Sequence, residues 1–245
     1  MLIENKKTSK KDIQESGYYR LVRNKRMASL FQTAHACVIS NGTELEHYIK
    51  KHSPYKVYET QYSNVSLKTG KPVKNPQKID GTTPTLNTIF QKYKEGENCF
   101  FPKIRISKDE LLDYGIDLKS KNHIELDGVW IIDNKLRVTE IKDGSDFDTK
   151  KSDGEIKMFK MLRKVFQNIE HQMNFVLWNL KDINNNSVKS LEASKYITTG
   201  KTFSEEIGLP FDKINSERSE DCPENEKYVI EEIKKIIKEY NETNN

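Results

Sequence analysis

HIELDGVWIIDNKLRVTEIK, at residues 123–142, carries the strongest structural signal in the sequence. Residues 123–132 and 136–142 are two runs rich in β-branched and apolar side chains, which is the composition of strands. Between them, Asp133-Asn134 has the composition of a tight turn. The stretch therefore predicts a β-hairpin.

Two charged side chains near the end of the second strand fall on one face. Successive residues of a strand point to opposite faces, so Glu140 and Lys142 project together while Thr139 and Ile141 point the other way. A carboxylate and an amine at this spacing are a useful pair for chemistry.

The register of the hairpin decides whether Asp127 joins this pair. A two-residue turn at Asp133-Asn134 sets Asp127 directly opposite Glu140. A two-residue turn at Asn134-Lys135 sets it opposite Lys142 and also keeps all three residues on one face. A three-residue loop would separate them unless a bulge corrected the register.

Two carboxylates facing each other destabilise a strand pair unless a cation relieves them. Mg²⁺ prefers oxygen ligands and takes one or two carboxylates together with waters and phosphate. We therefore predict that Asp127 and Glu140, with the Ile141 carbonyl, bind a metal, and that Lys142 orients or helps to deprotonate the attacking water and stabilises charge on the phosphate. The alternative is a set of cross-strand ion pairs on an exposed face. The apolar run VWII argues against it, because strands with such runs are usually buried.

Context separates this acid-x-Lys triplet from similar ones. Residues 155 and 232 fall in predicted helices, where positions two apart diverge, and residues 117 and 148 fall in polar, turn-prone sequence. Four of these similar triplets are Asp117-Leu-Lys119, Asp148-Thr-Lys150, Glu155-Ile-Lys157 and Glu232-Ile-Lys234.

Asp127 followed by Glu140-Ile141-Lys142 resembles the motif of the PD-(D/E)xK nuclease superfamily, over roughly residues 123–180. Leu126 stands where the name of the motif has proline. The size of the chain is similar to that of orthodox type II restriction endonucleases. This resemblance implies Mg²⁺-dependent hydrolysis of phosphodiester bonds in double-stranded DNA, often by a homodimer that recognises a short palindrome.

The resemblance also implies an acid from an early helix at the metal. Glu46 is the first candidate and Glu44 the second. A different role for Glu46 is equally open, because Thr43 and Glu46 have the spacing of a capping box at the start of a helix.

Positive charge is concentrated in the front third of the chain. Residues 1–26 contain eight Lys or Arg against three acids, and residues 50–78 contain seven lysines against Glu59. We predict that Lys71 and Lys74 contact nucleic acid, and that Lys150 and Lys151, which follow the hairpin, contact the backbone near the cut bond. The alternative is a solvated surface, with Asp148 or Ser152 capping the next helix.

The remaining segments predict an α/β domain, restriction-endonuclease-like, with a central mixed sheet flanked by helices on both faces. One nuclease domain is expected over residues 1–245, with a basic arm at 1–25 and an acidic amphipathic helix at 226–240. Ser40, Asn41 and Gly42 predict a break between helices. Helices are predicted at 27–39, from 43, at 85–93, at 107–114 and from a capping box at 152 to 169, strands at 99–106, 173–180 and 196–199, and loops with short strands at 53–84.

Several classes of site are disfavoured. The three cysteines lack paired metal-ligand spacing, the five histidines form no metal pattern, and Gly200-Lys201-Thr202 lacks the upstream glycine of a phosphate-binding loop. No segment is long and apolar enough to cross a bilayer. We expect a soluble protein of the bacterial cytoplasm, or of unassigned location if it is viral.

Two other functions are compatible with the sequence. One is a repair, recombination or viral nuclease that recognises DNA structure rather than sequence. The other is a DNA-binding protein without catalytic activity, whose basic front third contacts phosphates. Metal-dependent cleavage separates the binding protein from the nucleases, and discrete digestion products separate the two nucleases.

Overall fold

The structure, a computed structural model, describes residues 13–65, 72–144, 149–179 and 192–243. The chain divides into two compact units, Met1–Tyr48 with Asp212–Asn245, and Ile49–Phe211. Within the described residues the helices are α1 (Gly17–Val22), α2 (Lys25–Lys51), α3 (Leu86–Lys94), α4 (Lys108–Leu112), α5 (Thr149–Val165), α6 (Gly200–Ile207), α7 (Phe211–Ser219) and α8 (Cys222–Thr243). The strands are β1 (Lys56–Val57), β2 (Tyr62–Val65), β3 (Pro72–Lys78), β4 (Cys99–Ser107), β5 (His123–Ile132), β6 (Lys135–Asp143), β7 (His171–Trp178) and β8 (Ile197–Thr199).

Six strands form a central mixed sheet in the order β1-β4-β5-β6-β7-β8. The β4–β5 and β5–β6 pairs are antiparallel, and the β1–β4, β6–β7 and β7–β8 pairs are parallel. Strands β2 and β3 form a separate antiparallel pair. The predicted α/β class and the mixed central sheet are confirmed.

The hairpin of β5 and β6 turns at Asp133 and Asn134. Both residues are left-handed, with φ of 50° and 58°, and two consecutive left-handed residues make the turn whose twist matches that of the flanking strands. Asn98 accepts a hydrogen bond from the Asp133 amide at 2.9 Å. Ile132 therefore pairs with Lys135, which is the first of the two registers that the sequence left open.

Helices α5 and α6 cover opposite faces of the sheet. Phe159 of α5 stacks on Phe175 of β7, with ring centroids 4.4 Å apart. On the other face, Phe203 of α6 meets Trp130 of β5 edge-on at 6.0 Å. All four rings are fully buried, so apolar burial on both faces holds the sheet between the two helices.

The regular alternation of side chains between the two faces of the sheet is interrupted at Asp127. Leu126 and Val129 belong to the same buried cluster although three positions separate them, and strict alternation would place them on opposite faces. The same is true of Phe101 and Ile104, their partners on β4. Between these pairs the β4–β5 ladder is interrupted, and Lys103 adopts a left-handed φ of 49°. Both strands therefore twist locally beside Asp127.

The predicted helix break at Ser40, Asn41 and Gly42 is wrong, because these residues lie inside helix α2. The helix runs without interruption from Lys25 to Lys51, so Thr43 starts no helix and Glu46 belongs to no capping box. Leu45 and Ile49 are each 1% exposed. Burial of this apolar face outweighs the roughly 1 kcal/mol that a glycine in a helix interior costs.

In the unit that contains the terminal segments, α2 is joined to α8 through Arg26. The Arg26 Nε donates to Glu232 Oε2 at 2.9 Å, and its Nη1 contacts Glu239. The hydrogen bond from Arg26 lowers the pKa of Glu232 to about 2. Helix α8 covers the predicted 226–240 and extends beyond it at both ends.

Other boundaries also differ from prediction. Helix α5 begins at Thr149 rather than at the predicted capping box at Ser152, and α6 and α7 were not predicted. The predicted basic arm contains a 3-10 turn at Ile13–Glu15 and α1, while residues 1–12 lie outside the described part. The single domain over 1–245 stays a prediction.

None of the described helices has both the length and the apolar character needed to cross a membrane.

Gly128, next to Asp127, leaves no room for a side chain. A Cβ there would lie 2.8 Å from Thr139 Oγ1 and 3.0 Å from a ring carbon of Phe100. Because overpacking a buried site costs about 1–3 kcal/mol, we expect Gly128→Ala to lower the free energy of unfolding by that amount. Urea denaturation followed by fluorescence of the buried Trp130 and Trp178 measures it.

The matched control is Gly154→Ala in α5, where a Cβ meets no atom within 4 Å. This change removes freedom from the unfolded chain and is expected to raise stability by about 0.4–1 kcal/mol. Equal stabilities of the two variants would contradict the packing described for Gly128.

Candidate active site

The candidate site lies where β5 and β6 separate. Their ladder ends at the pair Gly128 and Thr139. Beyond it, residues 123–126 pair with β4 only, and residues 140–143 pair with β7 only. The gap between the diverging strands, flanked by Asp127, Glu140 and Lys142, is called the fork below.

Asp127 bridges the two strands at the start of the fork. Its Oδ2 accepts a hydrogen bond from the Ile141 amide at 2.7 Å. In a continuous antiparallel ladder this amide would donate to a backbone carbonyl of β5, so the Asp127 side chain takes over a backbone role. The carboxylate is thereby fixed in position beside Glu140 and Lys142.

Lys142 lies between two carboxylates. Its Nζ is 2.6 Å from Glu140 Oε1 and 3.2 Å from Glu155 Oε1 on α5. The side chains of Glu140, Glu155 and Lys142 are 11%, 19% and 30% exposed. Largely desolvated charges of this kind need partners, and Lys142 serves both acids.

The acids determine the protonation of Lys142. Burial lowers the pKa of Lys142, but the charge of Glu140 and its hydrogen bond, with the charges of Glu155 and Asp127, raise it more. The resulting pKa lies above the ordinary value for lysine. Lys142 is therefore an ammonium group at neutral pH in this structure, with three donors and no acceptor.

A cleft of about 810 Å³ opens from the fork. One wall is the segment 117–125, which leads into β5, and the other is α5, through Gly154, Glu155, Met158 and Met161. Glu140 also lines the cleft. The carboxylates of Glu140 and Glu155 are thus accessible from the cleft between the segment 117–125 and α5.

The structure brings Asp127, Glu140 and Lys142 together, with the Ile141 backbone between them. It does not test their catalytic and metal-binding roles, which stay predictions. Within the described ranges, no three His, Cys, Asp or Glu side chains are grouped closely enough to hold a metal. A magnesium ion in the fork would consequently depend on two carboxylates, water and substrate oxygens.

Other predicted residues stay untested. Glu46 and Glu44 lie in α2, in the unit that does not contain the fork. Lys71 falls outside the described residues. Lys74 lies in β3, and Lys150 and Lys151 lie in α5, but their side chains are outside the described part.

The chain is similar to a type II restriction enzyme. The relative is HhaII of Haemophilus parahaemolyticus, which is 28% identical over 231 residues, covering 90% of this chain and 89% of the relative. No family model and no solved structure matches the chain.

Glu155 was missed as a member of the site. In the sequence it belongs to the triplet Glu155-Ile-Lys157 and to a predicted capping box, and both patterns are local to the helix. Its contact with Lys142 depends on how α5 packs across β6 and β7, which no local pattern specifies. The sequence signal that could have indicated Glu155 is its place among the polar residues in the first turns of the helix that follows β6.

The ion pair between Glu140 and Lys142 is testable by a double-mutant cycle. Lys142→Ala leaves Glu140 largely buried without its ammonium partner, and a lost hydrogen bond to a charged group costs about 1.5–3 kcal/mol. Adding Glu140→Gln removes the unpaired charge, so the double variant is expected to regain much of that stability. Urea denaturation of the four proteins measures the coupling, and simple additivity of the two changes would show that the groups do not interact.

Proposed function

We propose that this protein is a magnesium-dependent endonuclease with a restriction-endonuclease-like fold, which hydrolyses duplex DNA at a specific short sequence. The main support is the fork, where Lys142 contacts Glu140 at 2.6 Å beside the strand-bridging Asp127. A second support is the similarity to a type II restriction enzyme along most of the chain. Both support hydrolysis of phosphodiester bonds as the reaction of this protein.

The donor set of the fork fits magnesium. Asp127 and Glu140, with the Ile141 carbonyl, would hold the ion, and these are hard oxygen ligands of the kind that Mg²⁺ prefers. Magnesium bound there supplies positive charge that polarises the phosphate and activates water. The Asp127 hydrogen bond to Ile141 holds the carboxylate and the peptide between Glu140 and Lys142 in a fixed relation.

Lys142 acts as a donor in this proposal. As an ammonium group it orients the attacking water or a phosphate oxygen and stabilises negative charge that develops on the phosphate. Glu140 and Glu155 hold its Nζ from two sides. Of the roles that the sequence left open for Lys142, the proposal takes orientation and charge stabilisation, because the contacts with Glu140 and Glu155 hold its Nζ as a hydrogen-bond donor.

Double-strand cleavage requires the hydrolysis of two phosphodiester bonds, and two chains, each with its fork, can supply a centre for each strand. We therefore include in the proposal a homodimer with two-fold symmetry, which matches a palindromic site on duplex DNA. The proposal also places the protein in the bacterial cytoplasm, where a restriction system meets incoming DNA.

Cleavage of plasmid DNA tests the proposal. We expect Asp127→Ala and Lys142→Ala to reduce the rate at least a hundredfold while circular dichroism shows a retained fold, because each removes a group from the reacting centre. The matched control is Lys234→Ala, from the helical triplet Glu232-Ile-Lys234, which is expected to cleave like the wild type.

The pattern of products distinguishes the alternatives. Discrete fragments with a common end sequence support a site-specific enzyme. A smear or branch-dependent cutting indicates a structure-directed nuclease, and binding without nicking in Mg²⁺ indicates a non-catalytic protein. Wild-type rates in either fork variant would refute the catalytic assignment.

Metal binding has its own readout, thermal unfolding without DNA. An ion that binds only the folded state, at ten times its dissociation constant, stabilises that state by about 1.4 kcal/mol. For a chain of this size, each kcal/mol of stabilisation raises the Tm by roughly 2–4 °C. We expect Mg²⁺ or Ca²⁺ to raise the Tm of the wild type but not that of Asp127→Asn or Glu140→Gln. An equal rise in these variants would place the ion elsewhere.

A further inference from the structure

The wall of the cleft that faces α5 carries positive charge at its outer edge. Lys119 and Lys121 line the cleft and are exposed. In the part of the chain that the structure describes, neither side chain forms an ion pair. These two residues are called the lysine lip below.

The acids beside the lysine lip are already neutralised. Asp117 Oδ1 lies 2.9 Å from Lys108 Nζ, and Glu125 Oε2 lies 2.6 Å from Arg105 Nε. Lys108 and Arg105 therefore balance the acids of this wall, while Lys119 and Lys121 keep their charge available. The lip has a net positive charge.

The inner end of the cleft has the opposite character. Glu140 and Glu155 line it, and Lys142 balances only part of their charge together with that of Asp127. A polyanion is attracted by the lip and repelled by the inner end unless a cation is bound there. The cleft is thus polarised along its length, with phosphate binding favoured at the rim and metal binding favoured inside.

The lysine lip is part of an anchored segment. The Lys108 amide donates to the Asn122 carbonyl at 2.8 Å, and the Lys121 amide donates to the Leu118 carbonyl at 2.7 Å. Ile116 and Leu118 are 5% and 8% exposed. The backbone that presents the two lysines is therefore held against the core, which limits the entropy lost when they bind a ligand.

We propose that Lys119 and Lys121 bind the phosphate backbone of the DNA strand next to the bond that is cut. The inference rests on the proposed function. It adds a binding surface that no pattern in the sequence indicated, since Lys119 belongs only to the triplet Asp117-Leu-Lys119, in polar, turn-prone sequence. Contacts to phosphate fix the position of the strand and carry no sequence information. They are expected to contribute equally to all sequences and to weaken with salt.

The test compares three double variants. Lys119→Gln with Lys121→Gln removes both charges, and Lys119→Arg with Lys121→Arg keeps them. The control, Lys94→Gln with Lys164→Gln, removes two exposed lysines at the other end of the sheet. Lys94 precedes β4 near Cys99, whose partner is Ile131, and Lys164 precedes β7, whose first residue pairs with Leu136.

Binding is measured by fluorescence anisotropy with a mixed-sequence 30-base-pair duplex in Ca²⁺, at several salt concentrations. Each phosphate contact contributes about 0.9 to the slope of log K against log salt. We expect the glutamine variant of the lip to lose roughly 2 in this slope and to bind about tenfold more weakly at low salt. The arginine variant and the control are expected to bind like the wild type.

Plasmid cleavage in Mg²⁺ separates this inference from the proposed function. In the glutamine variant the protein concentration for half-maximal cleavage is expected to rise, with a much smaller effect on the maximal rate. A wild type that binds and cleaves, with a glutamine variant of unchanged affinity and slope, overturns the lysine lip alone. An equal loss in the control also overturns it, because the effect then depends on net charge only. A wild type that neither binds nor cleaves DNA overturns the proposed function and this inference together.

Discussion

The Asp127 carboxylate occupies a position that a backbone carbonyl would hold in an uninterrupted sheet, because it accepts the Ile141 amide at 2.7 Å. Without such an acceptor, the partly buried amide would lose its protein partner where β5 and β6 part, and the loss of a hydrogen bond to a charged group costs about 1.5–3 kcal/mol. One side chain thus allows the two strands to diverge without that penalty. The fork, the cleft and the clustering of charge all follow from this divergence.

Sequence reasoning was strongest where a local pattern and the fold impose the same constraint. Asp133-Asn134 is compatible with left-handed backbone, and the apolar runs on each side have the period of strands, so the hairpin was predictable. Its register was not, and the structure selects one of the two registers that the sequence left open. Alternation then grouped Glu140 with Lys142. Counting back from the turn also placed Asp127 near Glu140. The local loss of strict side-chain alternation opposite Lys103 was not predictable, because it depends on β4 and β5 together.

Prediction failed where tertiary packing overrides local preference. Ser40, Asn41 and Gly42 favour a helix break, yet α2 continues because its apolar face is buried. Glu155 joins the fork because α5 packs across the sheet, and the lysine lip gains its charge because Lys108 and Arg105 neutralise the neighbouring acids. These features involve residues distant in sequence, so periodicity and spacing do not reveal them.

The two left-handed residues at Asp133 and Asn134 also restrict how the gene for such a protein can change. A substitution elsewhere in the hairpin alters one side chain. Inserting or deleting one residue in the turn moves every side chain of β6 to the opposite face of the sheet. Glu140 would then turn toward α6, and Ile141 would face α5. The hairpin accordingly tolerates changes of composition more readily than changes of length, because a change of length keeps the fork only if a bulge restores the register.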